Sequence, residues 1–325
     1  MQDGSRGDHA RDVALGREVL ESLKRNGYRG CIVRSERVNE LRASIEGRYR
    51  DGLLDKEFYE TNLQSFDFDL PRELPGASCL IPVAIPQPQI RFLFNLNGKR
   101  VPAIVPPTYL GFEEAEKRAR RIIMSVLGAE GYRAIPAPLP KKLLSVQGGL
   151  ARYGKNNITY VPGMGSFYRL AAFYSDLPCH EDEWRRPEMM ERCESCSACA
   201  HQCPTGAIDT DRFLLHAEKC IVYLNEKPYG VPFPDWVDPA WHNCLVGCML
   251  CQRACPENRH LVDWVENGAE FSEEETRLLL DVNPLEALES PSRLPAPLME
   301  KLKETHLFWG LETLPRNLRA LMEAE

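Results

Sequence analysis

Apolar and polar positions alternate along the chain with two periods, one typical of helices and one of strands. Residues 113–127 place their apolar side chains on one face of a helix, and Gly128 can end it. A similar spacing predicts a helix over residues 11–27, which Gly27 would end. Two shorter amphipathic stretches, at 297–303 and 314–322, predict a small helical cap near the end of the chain.

Strands are predicted where apolar residues run continuously or flank a turn signal. Residues 77–85 form an apolar run that suits a buried central strand, although the prolines at 82, 86 and 88 indicate an early end or a bulge. Residues 90–105 are divided by Asn97-Gly98, a strong signal for a β-hairpin. A further short strand is expected at 158–161, between two glycine-containing segments.

Composition limits the possible functions. The 325 residues include 43% hydrophobic side chains and carry a net charge of −7, so the chain as a whole does not attract nucleic acid, and we expect no nucleic acid partner. The polar first residues and the lack of a long apolar run lead us to expect a cytoplasmic protein with no membrane partner. A basic cluster (Lys117, Arg118, Arg120 and Arg121) could contact phosphates, but we interpret it as a solvated helix face.

Twelve cysteines change this picture, because most of them fall in two runs. The first is Cys-x2-Cys-x2-Cys-x3-Cys-Pro, and the second ends in Cys-x2-Cys-x3-Cys-Pro; this spacing is typical of a ferredoxin with two [4Fe–4S] clusters. Because the cysteine before proline reaches the other cluster, we assign the first cluster to Cys193, Cys196, Cys199 and Cys255. The second takes Cys203, Cys248, Cys251 and one cysteine from between the runs.

The spacing alone leaves this last ligand open between Cys220 and Cys244. Zinc and disulfides are the alternatives to iron. Zinc knuckles do not require the Cys-x3-Cys-Pro ending, and disulfide frameworks suit small secreted domains. Two [4Fe–4S] clusters are therefore the preferred interpretation. Cys31, Cys79 and Cys179 lie outside the runs and are expected to be buried apolar side chains.

A second informative stretch, 152–167 (RYGKNNITYVPGMGSF), is rich in glycine and amide side chains. Such residues allow the backbone to approach a large polar ligand closely. The stretch matches neither the phosphate-binding GxxxxGK[ST] loop nor the dinucleotide GxGxxG fingerprint. From composition alone it is a glycine-rich loop without an assigned ligand.

Together these features resemble the epoxyqueuosine reductase family, whose core is similar to that of reductive dehalogenases. The resemblance rests on the double cysteine run, on Tyr153-Gly154-Lys155-Asn156 followed by Gly165-Ser166-Phe167, and on the order of the parts. It covers roughly residues 75–260. The context Lys219–Leu224 is similar to that of the family's lone cysteine between the runs, which favours Cys220 over Cys244.

The resemblance implies a fold class and a second cofactor. We expect an α/β (α+β) protein with three parts: a corrinoid-binding α/β domain (1–180) with a nitroreductase-like dehalogenase core, a ferredoxin-like two-cluster domain (181–262) and a helical cap (263–325). Cobalamin is expected base-off, because no histidine has a ligand-like context. The residues expected to bind it are Tyr153, Gly154, Lys155, Asn156, Gly163, Gly165, Ser166 and Phe167.

One departure from the family shapes the functional prediction. At the position of the family's catalytic aspartate this chain has Ile135, which cannot donate a proton. We therefore predict a corrinoid-dependent reductase of an unidentified substrate, not epoxyqueuosine tRNA. The resemblance to dehalogenases implies a tyrosine as the proton donor, and Tyr109 and Tyr153 are the candidates. The alternatives are an electron-transfer or corrinoid-reducing partner protein without its own substrate, and a plain two-cluster ferredoxin. The expected partners are a reduced ferredoxin or flavodoxin-type donor and a small-molecule or protein-bound corrinoid substrate.

Overall fold

The computed structural model describes residues 3–290 and 293–323, which form two compact units. The first unit contains the described residues up to Pro86, together with Phe112–Cys196 and Arg212–Leu214. The second contains Gln87–Gly111, Ser197–Asp211 and the chain from Leu215 onward. By contacts, therefore, the predicted hairpin belongs with the C-terminal half of the chain. The predicted division of the chain into three domains, with boundaries at residues 180 and 262, stays a prediction.

The first unit is built on an antiparallel sheet with strand β3 at its centre. Strand β3 (Cys79–Pro86) pairs antiparallel with β9 (Tyr168–Ser175) along its whole length, and β6 (Ala134–Pro136) pairs with the far side of β9. The other side of β3 pairs with two short strands, β1 (Arg29–Gly30) and β2 (Val33–Arg34). The buried strand predicted at 77–85 is confirmed.

Pro82 does not end this strand, so the expectation of an early stop or a bulge is wrong. On the side of Pro82 that faces away from β9, strands β1 and β2 leave a gap at residues 31–32. The Cys31 amide donates to the Pro82 carbonyl across this gap, at 3.2 Å. The backbone nitrogen of Pro82 faces the same irregular segment. The missing N–H group therefore costs no hydrogen bond between paired strands.

Helices cover both faces of this sheet. Helices α1 (Asp3–Arg25) and α4 (Phe112–Leu127) pack on one face, against Ile81 and Val83 of β3. Helices α2 (Val38–Arg50) and α5 (Lys141–Gln147) pack on the other face, against Leu80. A short helix α3 (Lys56–Asn62) follows α2. Alternate residues of β3 thus serve two cores, which explains why the strand is apolar throughout.

The second unit contains a three-stranded sheet covered by helices. Strands β4 (Gln89–Leu96) and β5 (Lys99–Val105) form the predicted hairpin, and its turn residues Asn97 and Gly98 have φ values of 51° and 74°. Strand β10 (Val265–Phe271) pairs parallel with β4. A last small ladder, in the first unit, joins β7 (Arg152–Tyr153) to β8 (Thr159–Tyr160).

The remaining helices of the second unit are short near the cysteines and longer toward the end of the chain. The short ones are α6 (Ala198–Gln202), α7 (Ile221–Asn225) and α8 (Leu250–Arg253). The others are α9 (Glu273–Asp281), α10 (Pro284–Glu289), α11 (Ala296–Glu304) and α12 (Leu314–Glu323). The last group buries leucines against Phe92 and Phe94 of the sheet. The helices predicted at 11–27, 113–127, 297–303 and 314–322 are confirmed.

None of the helices in the described ranges is long and apolar enough to cross a membrane. The predicted cytoplasmic location stays a prediction.

His242 in the second unit is expected to make stability depend on pH. It is 6% exposed, and neither ring nitrogen has a hydrogen-bond partner among the described residues. Burial, followed by the charge of Arg316, lowers the pKa of His242 to about 4. The unfolded chain therefore binds this proton near pH 6.5 and the folded chain only near pH 4, so stability is lost as pH falls through that window.

We expect the free energy of unfolding to decrease by about 1–3 kcal/mol between pH 7 and pH 5 because of this one group. Urea unfolding of the protein, of His242→Phe and of His260→Gln at both pH values measures it. The phenylalanine variant should lose most of the decrease, whereas the change at the exposed His260 should keep it. An equal decrease in all three proteins would contradict the assignment to His242.

Candidate functional site

The glycine-rich loop of the first unit is a tight turn held by its own amide side chain. The Gly154 amide donates to the Ile158 carbonyl at 2.7 Å. Asn156 accepts from the Ile158 amide at 3.2 Å and donates to the Tyr160 hydroxyl at 3.0 Å. A Cβ on Gly154 would lie 2.6 Å from both Asn156 Oδ1 and the Tyr160 ring. Glycine is therefore required at 154 by this close approach.

The predicted ligand-binding residues of this loop are brought together locally. Lys155 and Asn156 are 9% and 3% exposed, and Ser166 and Phe167 are buried. Gly163 and Gly165 both have positive φ, and the Val161 amide donates to the Gly165 carbonyl at 3.0 Å. The segment 153–167 thus folds into two consecutive turns with buried polar groups.

Tyr153 and Tyr109 lie in different units. The Tyr153 ring contacts Phe213 edge to face at 5.5 Å, and burial raises the pKa of Tyr153 to about 12. Tyr109, in the second unit, donates its hydroxyl to Glu226 and stacks on Trp309 at 5.7 Å. Burial, together with the nearby Glu226 charge, raises the pKa of Tyr109 well above its ordinary value. Both phenols are therefore protonated at neutral pH.

Two polar groups missed by sequence reasoning lie on helix α5, just before the loop. Ser145 and Gln147 are 0% and 6% exposed. The Ser145 Oγ and the Gln147 Oε1 have no hydrogen-bond partner among the described residues. Unsatisfied buried polar atoms are rare in native proteins and often mark a bound polar ligand or water. Their position in an apolar helix pattern gave no signal in the sequence.

The cysteines assigned to the second cluster all belong to the second unit. Cys203 follows α6, Cys220 directly precedes α7, Cys248 precedes α8 and Cys251 lies within α8. Burial raises the pKa of Cys220 to about 11, and the adjacent Cys248 and Cys203 thiols raise it as well. Cys220 therefore lies within electrostatic reach of two other predicted ligands.

Cys244 has different surroundings. It is 1% exposed, and its thiol donates to Asn243 Oδ1 at 3.2 Å. Burial raises the pKa of Cys244, and Cys248 is the neighbouring cysteine that contributes most to the increase. Cys244 is thus also within electrostatic reach of Cys248, and the second cluster's ligands, Cys203, Cys220, Cys248 and Cys251, stay a prediction. The first cluster's ligands, Cys193, Cys196, Cys199 and Cys255, stay a prediction from spacing.

Within the described ranges, no three His, Cys, Asp or Glu side chains converge closely enough to hold a single metal ion.

Comparison with known proteins supports the iron–sulfur interpretation. A family model described as a 4Fe-4S double cluster binding domain matches residues 192–258. The chain therefore carries a double [4Fe–4S] binding domain in this segment.

Relatives with similar sequences point to one named activity. An epoxyqueuosine reductase from Pseudomonas aeruginosa is 36% identical over 140 residues, which is 42% of this chain and 37% of that protein. The Escherichia coli epoxyqueuosine reductase is 34% identical over 124 residues, 38% of this chain and 31% of that protein. The match spans about a third of the length of these curated relatives.

A solved structure shares the fold over most of the chain. A crystal structure of epoxyqueuosine reductase with an epoxyqueuosine-modified tRNA stem loop superposes with a TM-score of 0.62 at 20% identity, covering 96% of this chain and 82% of that one. The chain resembles epoxyqueuosine reductases in sequence and in fold. The predicted resemblance and α/β fold class are thereby confirmed.

The same comparisons contradict two predictions. We expected an unidentified substrate other than epoxyqueuosine tRNA, but the similar relatives are named epoxyqueuosine reductases. That prediction is wrong because one missing acid at Ile135 bears on rate and on the proton source, not on which substrate the site recognises. Ile135 itself pairs with Tyr174 in the sheet and packs into the apolar core.

The expectation of no nucleic acid partner is also wrong, since a protein of the same fold is solved with a tRNA stem loop. A net charge of −7 describes the whole chain. Phosphate contacts are made by local groups, so net charge does not exclude them.

Proposed function

We propose that this chain is an oxidoreductase that reduces epoxyqueuosine in a tRNA stem loop, using two [4Fe–4S] clusters and a corrinoid. The observation that carries the proposal is the 36% identity over 140 residues to a protein named for this reaction. The shared fold adds support but by itself admits many functions.

The reaction defines what the chain's residues must provide. Removing an epoxide oxygen as water, with formation of a carbon–carbon double bond, consumes two electrons and two protons. The clusters supply electrons singly, and a corrinoid, when bound, supplies a low-valent cobalt reductant. The external donor is expected to be a reduced ferredoxin or flavodoxin.

For the second cluster we propose Cys203, Cys220, Cys248 and Cys251 as the ligands. Cys220 lies within electrostatic reach of both Cys203 and Cys248. Cys244 is also within reach of Cys248, but its thiol donates to Asn243. For the first cluster we propose Cys193, Cys196, Cys199 and Cys255.

For the corrinoid we propose the loop 153–167. Its buried Lys155 and Asn156 and the backbone at Gly163 and Gly165 can hydrogen-bond the amides and phosphate of a corrinoid tail. The unsatisfied Ser145 Oγ and Gln147 Oε1 on the preceding helix fit the presence of a polar ligand here.

Tyr153 is our proposed proton donor. Ile135 cannot supply a proton, and the Tyr109 hydroxyl is already donated to Glu226. The Tyr153 pKa of about 12 keeps its proton in place at neutral pH. Its place at the start of the loop puts it beside the residues assigned to the corrinoid.

We expect the anaerobically reconstituted protein, loaded with cobalamin and a strong chemical reductant, to convert an epoxyqueuosine-containing tRNA stem loop to the queuosine form. Mass spectrometry of the digested nucleosides measures the product. Omitting cobalamin, as the matched control, should abolish conversion. A preparation that holds eight irons and cobalamin but forms no queuosine would contradict the proposal.

A further inference from the structure

The side chain of Asn243 makes four hydrogen bonds beside the second cluster's ligands. Its Nδ2 donates to the Trp241 carbonyl and to the Cys248 sulfur, both at 3.1 Å. Its Oδ1 accepts from the Met249 amide at 2.9 Å and from the Cys244 thiol at 3.2 Å. Every donor and acceptor of this amide is therefore used.

The orientation of the amide follows from its partners. The Met249 backbone N–H can only donate and the Trp241 carbonyl can only accept, so the oxygen must face Met249 and the nitrogen must face Trp241. The remaining amide hydrogen is then directed at the Cys248 sulfur. The Cys244 thiol, by donating to the oxygen, strengthens this arrangement.

A hydrogen bond from an N–H group to a cysteine sulfur that binds iron favours the reduced, more negatively charged form of the cluster. Reduction adds one electron, part of whose charge resides on the thiolates, so a donor at the sulfur stabilises the reduced form more than the oxidised form. We propose that Asn243 raises the reduction potential of the second cluster through its bond to Cys248. The inference rests on Cys248 being a cluster ligand, as proposed above, and not on the substrate.

The chain offers a matched control in Asn225. Its amide also supports the loop that carries Cys248, because it donates to the Gly247 carbonyl at 2.8 Å and accepts from the Gly247 amide at 3.0 Å. Asn225 is 0% exposed. Both of these bonds are to backbone, and neither is to sulfur. Loss of this side chain therefore disturbs the same loop without removing a donor from a ligand.

The test is an EPR-monitored redox titration of the anaerobically reconstituted full chain, after confirming eight irons by analysis. Asn243→Ala removes the donor, and we expect a more negative midpoint potential for the second cluster with the first unchanged. Asn243→Asp, which also adds negative charge, should shift it further in the same direction. Asn225→Ala should leave both potentials as in the unmodified protein. An unshifted potential in Asn243→Ala, or an equal shift in Asn225→Ala, would overturn the proposal.

A second measurement needs no variant and covers the case in which Asn243 variants lose the cluster. Protein labelled with ¹⁵N in the asparagine side chains is reduced, and hyperfine coupling to the second cluster is recorded by pulsed EPR. We expect a ¹⁵N coupling transmitted through the N–H···S bond; its absence would refute that bond. Neither measurement requires tRNA turnover, so failure of the proposed function leaves both results interpretable.

Discussion

Replacing Tyr153 with phenylalanine is expected to lower the conversion of epoxyqueuosine tRNA by about 10²–10⁴-fold, the range typical for a general acid. The physical reason is that the epoxide oxygen leaves as water only if a proton is delivered, and Ile135 cannot deliver it. The phenylalanine ring keeps the edge-to-face contact with Phe213 and removes only the hydroxyl. Anaerobic single-turnover kinetics measure the effect.

Two tyrosine variants serve as controls for this experiment. Tyr132→Phe removes a hydroxyl that donates to Asp12 at 2.9 Å in the same unit, and it should leave turnover nearly unchanged. Tyr109→Phe removes the hydroxyl donated to Glu226, and it should have a much smaller effect than Tyr153→Phe. If Tyr109→Phe proved the more damaging variant, the proton donor would have to be reassigned. Iron and cobalamin content must match in all variants.

Replacing Cys220 with alanine is expected to remove the second cluster, so that the iron content falls from about eight to about four per chain, because each cube requires four ligands. Electron delivery through that cluster should be lost with it, and turnover should fall below detection. Anaerobic iron and sulfide analysis, with EPR of the reduced protein, gives the result.

The matched control is Cys244→Ala, in the neighbouring buried thiol. It removes a hydrogen bond to Asn243 but, on our assignment, no ligand, and about eight irons should remain. If Cys244→Ala lost a cluster while Cys220→Ala retained both, the assignment of the eighth ligand would be reversed. Stoichiometric zinc in the unmodified protein would contradict the iron–sulfur interpretation itself.

Short-range features of this molecule were predictable because their causes are local. The hairpin turn at Asn97-Gly98 needs two residues that tolerate positive φ, and the sequence places them there. Helix α4 follows from its apolar face, which buries Ala115, Ala119 and Ile123. The double-cluster domain was likewise evident from cysteine spacing, since three closely spaced thiolates on one loop suit a four-iron cube.

Other features depended on partners distant in sequence. Pro82 could remain inside a central strand because β1 and β2 leave a gap opposite it, which no local rule reveals. The β4–β5 hairpin belongs to the same unit as the C-terminal half of the chain because β4 pairs in parallel with β10, more than 150 residues away. The prediction of no nucleic acid partner was wrong for a related reason. The net charge is a sum over the whole surface, whereas a nucleic acid contacts only one part of it.

The sequence by itself thus determined the cluster-binding segment, the principal helices and the turns, since each depends on neighbouring residues. The tertiary structure decided which groups surround each thiol and phenol. It brings Cys220 within electrostatic reach of Cys203 and Cys248. The Cys244 thiol donates to Asn243, and the Tyr109 hydroxyl donates to Glu226. Some of these hydrogen bonds join residues far apart in the chain, and others link one of several nearby residues that could equally have been the partner. The spacing of residues along the sequence therefore does not identify the partners, and only the folded structure does.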